Sequence, residues 1–515
     1  MGAALFDVVI LGGEVIDGSG RPRFRADVGV RGDRIAAIGD LRSAEAGQQI
    51  DAAGKIVAPG FIDVHNHSDG WLLREENFTP KTSQGFTTEV LAADGIGYAP
   101  VDENTWRDWF FYLHTLNGLR LDEYQGWRTL SEYLGHIRQR TAQNVVAHIP
   151  YANLRSLECG WGRPAPDDFQ NCSIQRRIRQ EMSEGAVGLS TGLDYLVQNV
   201  ATTEELIDAC RTVAEFDGVY VTHLRYKRGL LPALREAVEI GRRSGVRVHI
   251  SHLKASTPQQ TEEVLSYLDE ARREVDLSFD VYPYQPGSTM LNYLLPYEVW
   301  QEGPLAALGK LHDPRIRARF AEGLRAYRLN LDEIHIAWLP GKENSRFQGM
   351  LLSEFVEQSG LPAEEALINL LIEERLAVLL VFHEGDDRLV YPFLQHDLFM
   401  LGSDGIYHQD GAIHPRVYGS APRILGPLVR DAKLFSLEEA VRKMTSFAAD
   451  RFRLRDRGRV QEGAFADLVV FDAGTIRDCA TYENPHQYSV GVEWTVINGR
   501  PLKNPIWPAT CEGRR

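Results

Sequence analysis

From residue 204 to 282 the chain alternates between helical periodicity and short apolar runs. Glu204–Glu215, Leu231–Ser244 and Gln260–Glu274 carry apolar residues at helical spacing, and they are followed by Val219–His223, Val248–His252 and Leu277–Tyr282. A helix between successive strands makes those strands parallel, because strands running the same way need a crossover to join them. Over this length the alternation predicts an α/β fold built on a TIM-like (β/α)8 barrel, in which chemistry gathers at the carboxyl ends of the strands.

Six candidate metal ligands lie at such ends. His65 and His67 close the apolar run Pro59–Val64, and residues two apart on a strand face the same way. Asp94 follows Thr88–Ala93, His223 ends Val219–Thr222, His252 follows Val248–Ser251, and Asp404 follows Leu398–Ser403. Zinc and similar borderline cations accept imidazole nitrogen and carboxylate oxygen alike. A single strand histidine is more often a hydrogen-bonded core residue, but equivalent places on separate strands point to a shared ion. Such an ion brings the pKa of a water toward neutrality. Asp404, within Gly402-Ser403-Asp404-Gly405, is the candidate catalytic residue, accepting the water proton and returning it to a leaving nitrogen. His408 and His414, in the loop after Asp404, are candidates for supporting contacts, whereas His148, His249, His312 and His396 read as structural.

The flanks have a different texture. Short strands at 6–11, 26–30 and 35–38, and again around 459–460, 466–471 and 494–499, predict a small β-sandwich assembled from both chain ends, 1–58 and 451–515. The barrel then occupies 59–450. Residues 285–350, rich in aromatics, Arg and Pro, break the strand–helix rhythm and read as an insertion over the barrel mouth. A formal charge of −15 disfavours nucleic acid as a partner. Five scattered cysteines suggest no disulfide framework or zinc finger, and no stretch reaches membrane-spanning length, so a cytoplasmic protein is expected.

Several longer motifs resemble the metal-dependent amidohydrolase superfamily, and within it the N-acyl-D-amino-acid deacylase (D-aminoacylase) family. They are Ile56–His67, Gln84–Thr88, Glu184–Leu193, Ser251–Lys254, Asp280–Tyr284, Gly402–Gly405, His414–Arg416 and Glu462–Phe471, spread over nearly the whole chain. The resemblance implies the same barrel and two-part sandwich. It also implies that His65, His67 and Asp404 form one metal half-site and His223 with His252 the other. Lys254, Arg416 and Tyr284 (or Tyr282) match the family's clamp for a substrate carboxylate. The chain departs from the family at Asp94, where the D-aminoacylases carry a metal-binding Cys. An oxygen donor there is harder than a thiolate and shifts preference from zinc toward manganese or cobalt.

The implied activity is hydrolysis of the amide of an N-acyl amino acid, of D configuration, or a related small acidic amide, with one or two zinc ions per chain. The partner is a small amide bearing a carboxylate, with nucleic acid and membrane excluded and a homo-oligomer left open. Rival activities are a small dipeptidase or a dihydropyrimidinase- or dihydroorotase-like cyclic amide hydrolase. The cyclic-amide relatives usually bridge their metals with a modified lysine, and the segment around Gly188–Ser190 offers none. A more distant alternative is a non-catalytic binding protein on a dead barrel.

Overall fold

The computed structural model describes residues 6–162, 165–327 and 329–504. Eight parallel strand positions form the barrel. They are β1 (Phe61–Asp63), β2 (Phe86–Leu91), β3 (Asn144–Ala147, resumed at Ile149–Pro150), β4 (Gly188–Gly192), β5 (Val219–His223), β6 (Arg247–Ile250), β7 (Leu277–Val281) and β8 (Phe399–Leu401). Each pairs in parallel with the next through β7 and β8. The ring closes where Val64 N–H donates to Leu401 O (3.3 Å) and Asn66 bridges Gly405 in parallel.

The crossover helices start and stop on local signals. Thr202 accepts from Glu205 N (3.1 Å) at the start of Thr203–Ala214, and Thr257 accepts from Gln260 N (3.2 Å) ahead of Pro258–Ala271. The helix Leu230–Ser244 ends at Gly245, whose φ of 77° suits a residue without a Cβ.

Both chain ends build the flanking sheets. A four-stranded sheet has Arg34–Gly39, Asp27–Arg31, Phe6–Leu11 and Ala46–Asp51 in that order. In the six-stranded sheet, Leu468–Phe471 lies antiparallel to Ile56–Pro59, so Val470 sits opposite Val57. Val8, Ile10, Val28, Val57, Leu468 and Val496 share one buried cluster between the sheets. Arg459-Val460, expected as a strand, is loop; Val460 N–H bonds instead to Asp17 O (3.1 Å).

The excursion between β7 and β8 is longer than 285–350. Gly287–Met290, Leu379–Phe382 and Ile334–Trp338 form a three-stranded antiparallel sheet of their own, with helices Pro304–Lys310, Pro314–Tyr327, Leu352–Ser359 and Ala363–Glu373 around it. Leu379–Phe382 has the apolar composition of a barrel strand, and only its tertiary pairing assigns it elsewhere. Among the described cysteines Cys172 and Cys210 are free thiols, while Cys479 is disulfide-bonded, where no disulfide framework is expected from the sequence. No helix of the described residues is long and apolar enough to cross a membrane.

Candidate metal centre

All six sequence-predicted ligands lie at the carboxyl ends of barrel strands, and two clusters hold five of them. His65, His67 and Asp404 offer ligand atoms within 4.8 Å of one another, as do His65, Asp94 and His252. His65 belongs to both. Its Nε2 is 3.7 Å from Asp94 Oδ1 and 3.7 Å from Asp404 Oδ1. His67 Nε2 lies 3.2 Å from Asp404 Oδ1 and 3.8 Å from Asp94 Oδ2, and His252 Nε2 lies 3.7 Å from Asp94 Oδ1. His223 stands one step out, its Nδ1 3.0 Å from His252 Nε2. Asp94 therefore faces both clusters.

The backbone is bent to make this possible. Asp94 (φ 58°), Asp404 (φ 50°) and His252 (φ 38°) all occupy the left-handed region, which side-chain-bearing residues avoid. Strain of this kind collects at functional sites, where surrounding contacts over-determine the conformation. Ser403, just before Asp404, is tied to β1: its N–H and hydroxyl donate to the Asp63 carboxylate (2.8 and 2.6 Å), and the buried Lys81 ammonium bonds both groups. Asp69 accepts from Ala92 N (3.1 Å), pinning the turn that carries Asp94.

Polar groups on the far side of the rings turn the remaining nitrogens toward the cluster. His67 Nδ1 donates to Asn117 Oδ1 (3.1 Å), leaving Nε2 for the centre. Asp280, fully buried on β7, lies 3.5 Å from His65 Nδ1, accepts from His252 N (3.0 Å) and holds His249 Nε2 at 2.9 Å. Asp194 Oδ2 is 3.5 Å from His223 Nε2. Such outer carboxylates fix tautomer and ring orientation in metal sites. Asp280, Asn117 and Asp194 were not among the expected site residues, and His249, expected as structural, hydrogen-bonds Asp280 behind the centre.

The electrostatics are those of a site short of positive charge. Burial lowers the affinity of His65 for a proton, but the carboxylates of Asp280, Asp94 and Asp404 outweigh it and hold the imidazole at about 10. Burial raises Asp94 and Asp404, yet histidines around Asp94, and Arg416 with His67 beside Asp404, keep both carboxyls below the usual range. A divalent cation fits this donor set. His65 Nε2 and Asp94 Oδ1, which face the centre, are buried without a hydrogen-bond partner, which is costly unless something else satisfies them.

Next to the centre is a cavity of about 290 Å³, lined by Asp94, His223, His252 and Asp404 on one side and by Tyr282 and the excursion residues Ser288, Thr289, Tyr293 and Phe382 on the other. Arg416 is fully buried behind it, its Nη1 2.9 Å from Asp404 Oδ2, its Nη2 donating to Ser288 O (3.3 Å), and its guanidinium 4.3 Å from the Tyr282 ring centroid. Lys254 Nζ sits 3.5 Å from the same centroid and donates to Gln285 O and Pro286 O (2.9 and 3.2 Å).

Tyr284 is placed differently. Strand alternation stops at Val281, Pro283 intervenes, and Tyr284 N–H turns back to Tyr282 O (2.9 Å). Its hydroxyl then donates to Asp478 (3.3 Å), away from the cavity lining. His414 Nδ1 accepts from Arg416 N (3.0 Å), whereas His408 stacks on Trp338 (3.6 Å between centroids), outside the metal clusters.

Known proteins are similar to this chain over nearly its whole length. The amidohydrolase family model matches residues 48–289 and 395–502, passing over most of the excursion. A D-aminoacylase of Alcaligenes xylosoxydans xylosoxydans is 36% identical over 96% of this chain and 94% of its own length. An N-acyl-D-glutamate deacylase of the same organism is also 36% identical, over 99% and 96% respectively. The crystal structure of N-acyl-D-glutamate deacylase from Bordetella bronchiseptica, complexed with zinc and a phosphonate mimic of the tetrahedral intermediate, superposes with a TM-score of 0.81 at 33% identity, covering 96% of each chain. The chain belongs to the amidohydrolase family and, within it, is a D-aminoacylase-like metal-dependent hydrolase of carbon–nitrogen bonds other than peptide bonds.

Proposed function

We propose that the protein cleaves the amide of an N-acyl-D-amino acid, releasing a carboxylate and an amine, with zinc as its metal. The observation that carries this reading is the convergence of His65, His67, Asp94, His252 and Asp404, with buried unpartnered nitrogen and oxygen atoms, beside a cavity whose Tyr282 is backed by Arg416 and Lys254. His65, His67 and Asp404 would hold one ion. Asp94, His252 and His223 would complete a second position, where the oxygen of Asp94 also suits manganese or cobalt. When bound, the ion supplies Lewis acidity to the water and to the scissile carbonyl.

The chain's own residues do the rest. Asp404, ionised beside Arg416, accepts a proton from the attacking water on a carboxylate oxygen and hands it to the leaving nitrogen. Arg416 and Lys254, converging on Tyr282, bind the substrate carboxylate where water is scarce and charge-assisted hydrogen bonds are strong. Tyr282 is the clamp tyrosine on this reading, and Tyr284 braces Arg423 through Asp478. The D configuration and the zinc assignment rest on the kinship with the deacylases.

The test is Asp404→Asn, assayed on a panel of N-acetyl-D- and N-acetyl-L-amino acids with zinc, manganese and cobalt supplied separately. Turnover should fall by at least ~10²–10⁴-fold, the usual contribution of a positioned acid–base group, while metal remains bound. Retained activity would remove Asp404 from the proton path.

A further inference from the structure

The metal centre lies at the carboxyl ends of the barrel strands, and another cavity, of about 530 Å³, opens at their opposite ends. Its floor is the start of β3, with Thr88 of β2 and with Gly185 and Val187 ahead of β4. The other wall comes from the segment that joins the helix Ser446–Arg451 to the sandwich, and from Asn498 of the sandwich itself. Four arginines line the cavity: Arg138, Arg453, Arg455 and Arg457. They belong to a chain whose formal charge is −15, so the local sign opposes the global one.

The carboxylates beside these guanidiniums do not balance them. Arg457 is held by Asp467, and its Nη2 donates to Asn498 Oδ1 (3.1 Å). Arg453 Nε lies 3.4 Å from Asp217 Oδ2, and Asp217 is shared with Arg247 (3.0 Å). Asp456, in the same segment, is engaged by Arg34 Nη1 (3.1 Å). Arg138 donates to a carbonyl, Val145 O, at a long 3.5 Å, and Arg455 has no hydrogen bond or ion pair among the described residues. Setting Asp467 and Asp217 against their arginines leaves the guanidiniums of Arg138 and Arg455 uncompensated beside one cavity. Asn144 and Asn498 bond to each other (2.9 Å) and to Asp467 (3.0 and 2.8 Å), which fixes Arg457 and this wall.

We propose that this cavity binds a small phosphate monoester, at a position separate from the metal centre. Such an ester carries about two negative charges at neutral pH and three strong acceptor oxygens, which matches two uncompensated guanidiniums in charge and in hydrogen bonding. Guanidinium forks meet phosphate oxygens in pairs, a geometry that a lone ammonium lacks. The cavity is larger than a bare phosphate ion, and it leaves room for the esterified part beside Thr141, Asn144 and Leu454. A ligand held between the barrel floor and the sandwich linker also stabilises the folded chain by linkage.

Zinc-loaded protein should be titrated by calorimetry with glycerol 3-phosphate at physiological ionic strength, and in parallel with succinate, a dianion without a phosphate group. The expected result is saturable binding of glycerol 3-phosphate with a Kd below about 1 mM, and binding of succinate at least about tenfold weaker. Thermal melts should show a higher Tm in the presence of the ester. Arg138→Ala and Arg455→Ala should each weaken binding at least about tenfold, the scale of a lost hydrogen bond to a charged group. Zinc content and circular dichroism should stay unchanged in both variants, and Arg455→Lys should restore part of the affinity, since it keeps the charge and loses the fork. An ester bound on the zinc itself would survive both alanine substitutions and vanish when the metal is removed, and that outcome overturns the proposal. So does an absence of saturable binding, or equal affinity for succinate.

Discussion

Asp280→Asn isolates one physical cause of metal affinity. The Asp280 carboxylate is completely buried and holds three groups at once: His249 Nε2 at 2.9 Å, His252 N–H at 3.0 Å and His65 Nδ1 at 3.5 Å. As an acceptor it favours the His65 tautomer with hydrogen on Nδ1, leaving the Nε2 lone pair toward Asp94 and Asp404. Asparagine nearly preserves the shape, but one oxygen becomes an NH₂ donor. If Oδ1 keeps the bond from His252 N–H, the new donor faces His65 and His249. His65 then prefers hydrogen on Nε2, where an ion must bind. Losing an outer partner of this kind weakens metal affinity by about 10–100-fold. At ~1.4 kcal/mol per tenfold, that is about 1.4–2.8 kcal/mol. The assay is competition for zinc against a chromophoric chelator, with circular dichroism to verify an unchanged fold. A folded variant whose affinity changes less than about twofold would refute the claim that Asp280 sets the His65 tautomer.

Three further outcomes follow from other contacts. Gly402→Ala places a Cβ 2.5 Å from Asp280 Oδ1 and 2.6 Å from His65 Cβ, so thermal melts should show a loss of about 1–3 kcal/mol together with weakened zinc binding. Arg416→Ala should raise KM for carboxylate-bearing substrates by ~10–100-fold and abolish the preference over the corresponding primary amides, as steady-state kinetics would reveal. Burial raises Glu181 from 4.5 to about 7, so the folded state keeps its proton where the unfolded state has lost it. The resulting stability is fully present below 4.5, declines as pH rises to about 7 and stays lost above. Glu181→Gln should therefore leave stability unchanged near pH 4 and increase it near pH 8, by up to about 3 kcal/mol in denaturant titrations.

The barrel and the ligands were legible because their signals are local. An apolar run ending in His65 and His67, or in His223, declares a strand and its carboxyl end without any knowledge of neighbours. The helices 203–214, 230–244 and 258–271 lie within a few residues of the expected spans, since caps and periodicity are short-range properties. What escaped depends on three-dimensional pairing. Asn117 and Asp194 lie in segments with no pattern that marks them, and they acquire meaning only by facing His67 and His223. Asp280 sits on a visible strand, yet its importance comes from three partners on other elements. The true extent of the excursion escaped because Leu379–Phe382 is as apolar as any barrel strand. Between the two clamp tyrosines the motif leaves open, the choice depends on where the strand ends: Val281 is its last paired residue, and Tyr284 lies beyond Pro283.

Anomalous diffraction at the zinc edge, from crystals of the zinc-loaded protein, bears most directly on the metal centre. The expected result is an ion with His65, His67 and Asp404 ligand atoms at about 2.0–2.2 Å, and no such peak in His65→Ala crystals. Zinc bound elsewhere, or undiminished zinc at the barrel mouth in the His65→Ala protein, would contradict a catalytic centre built on these residues.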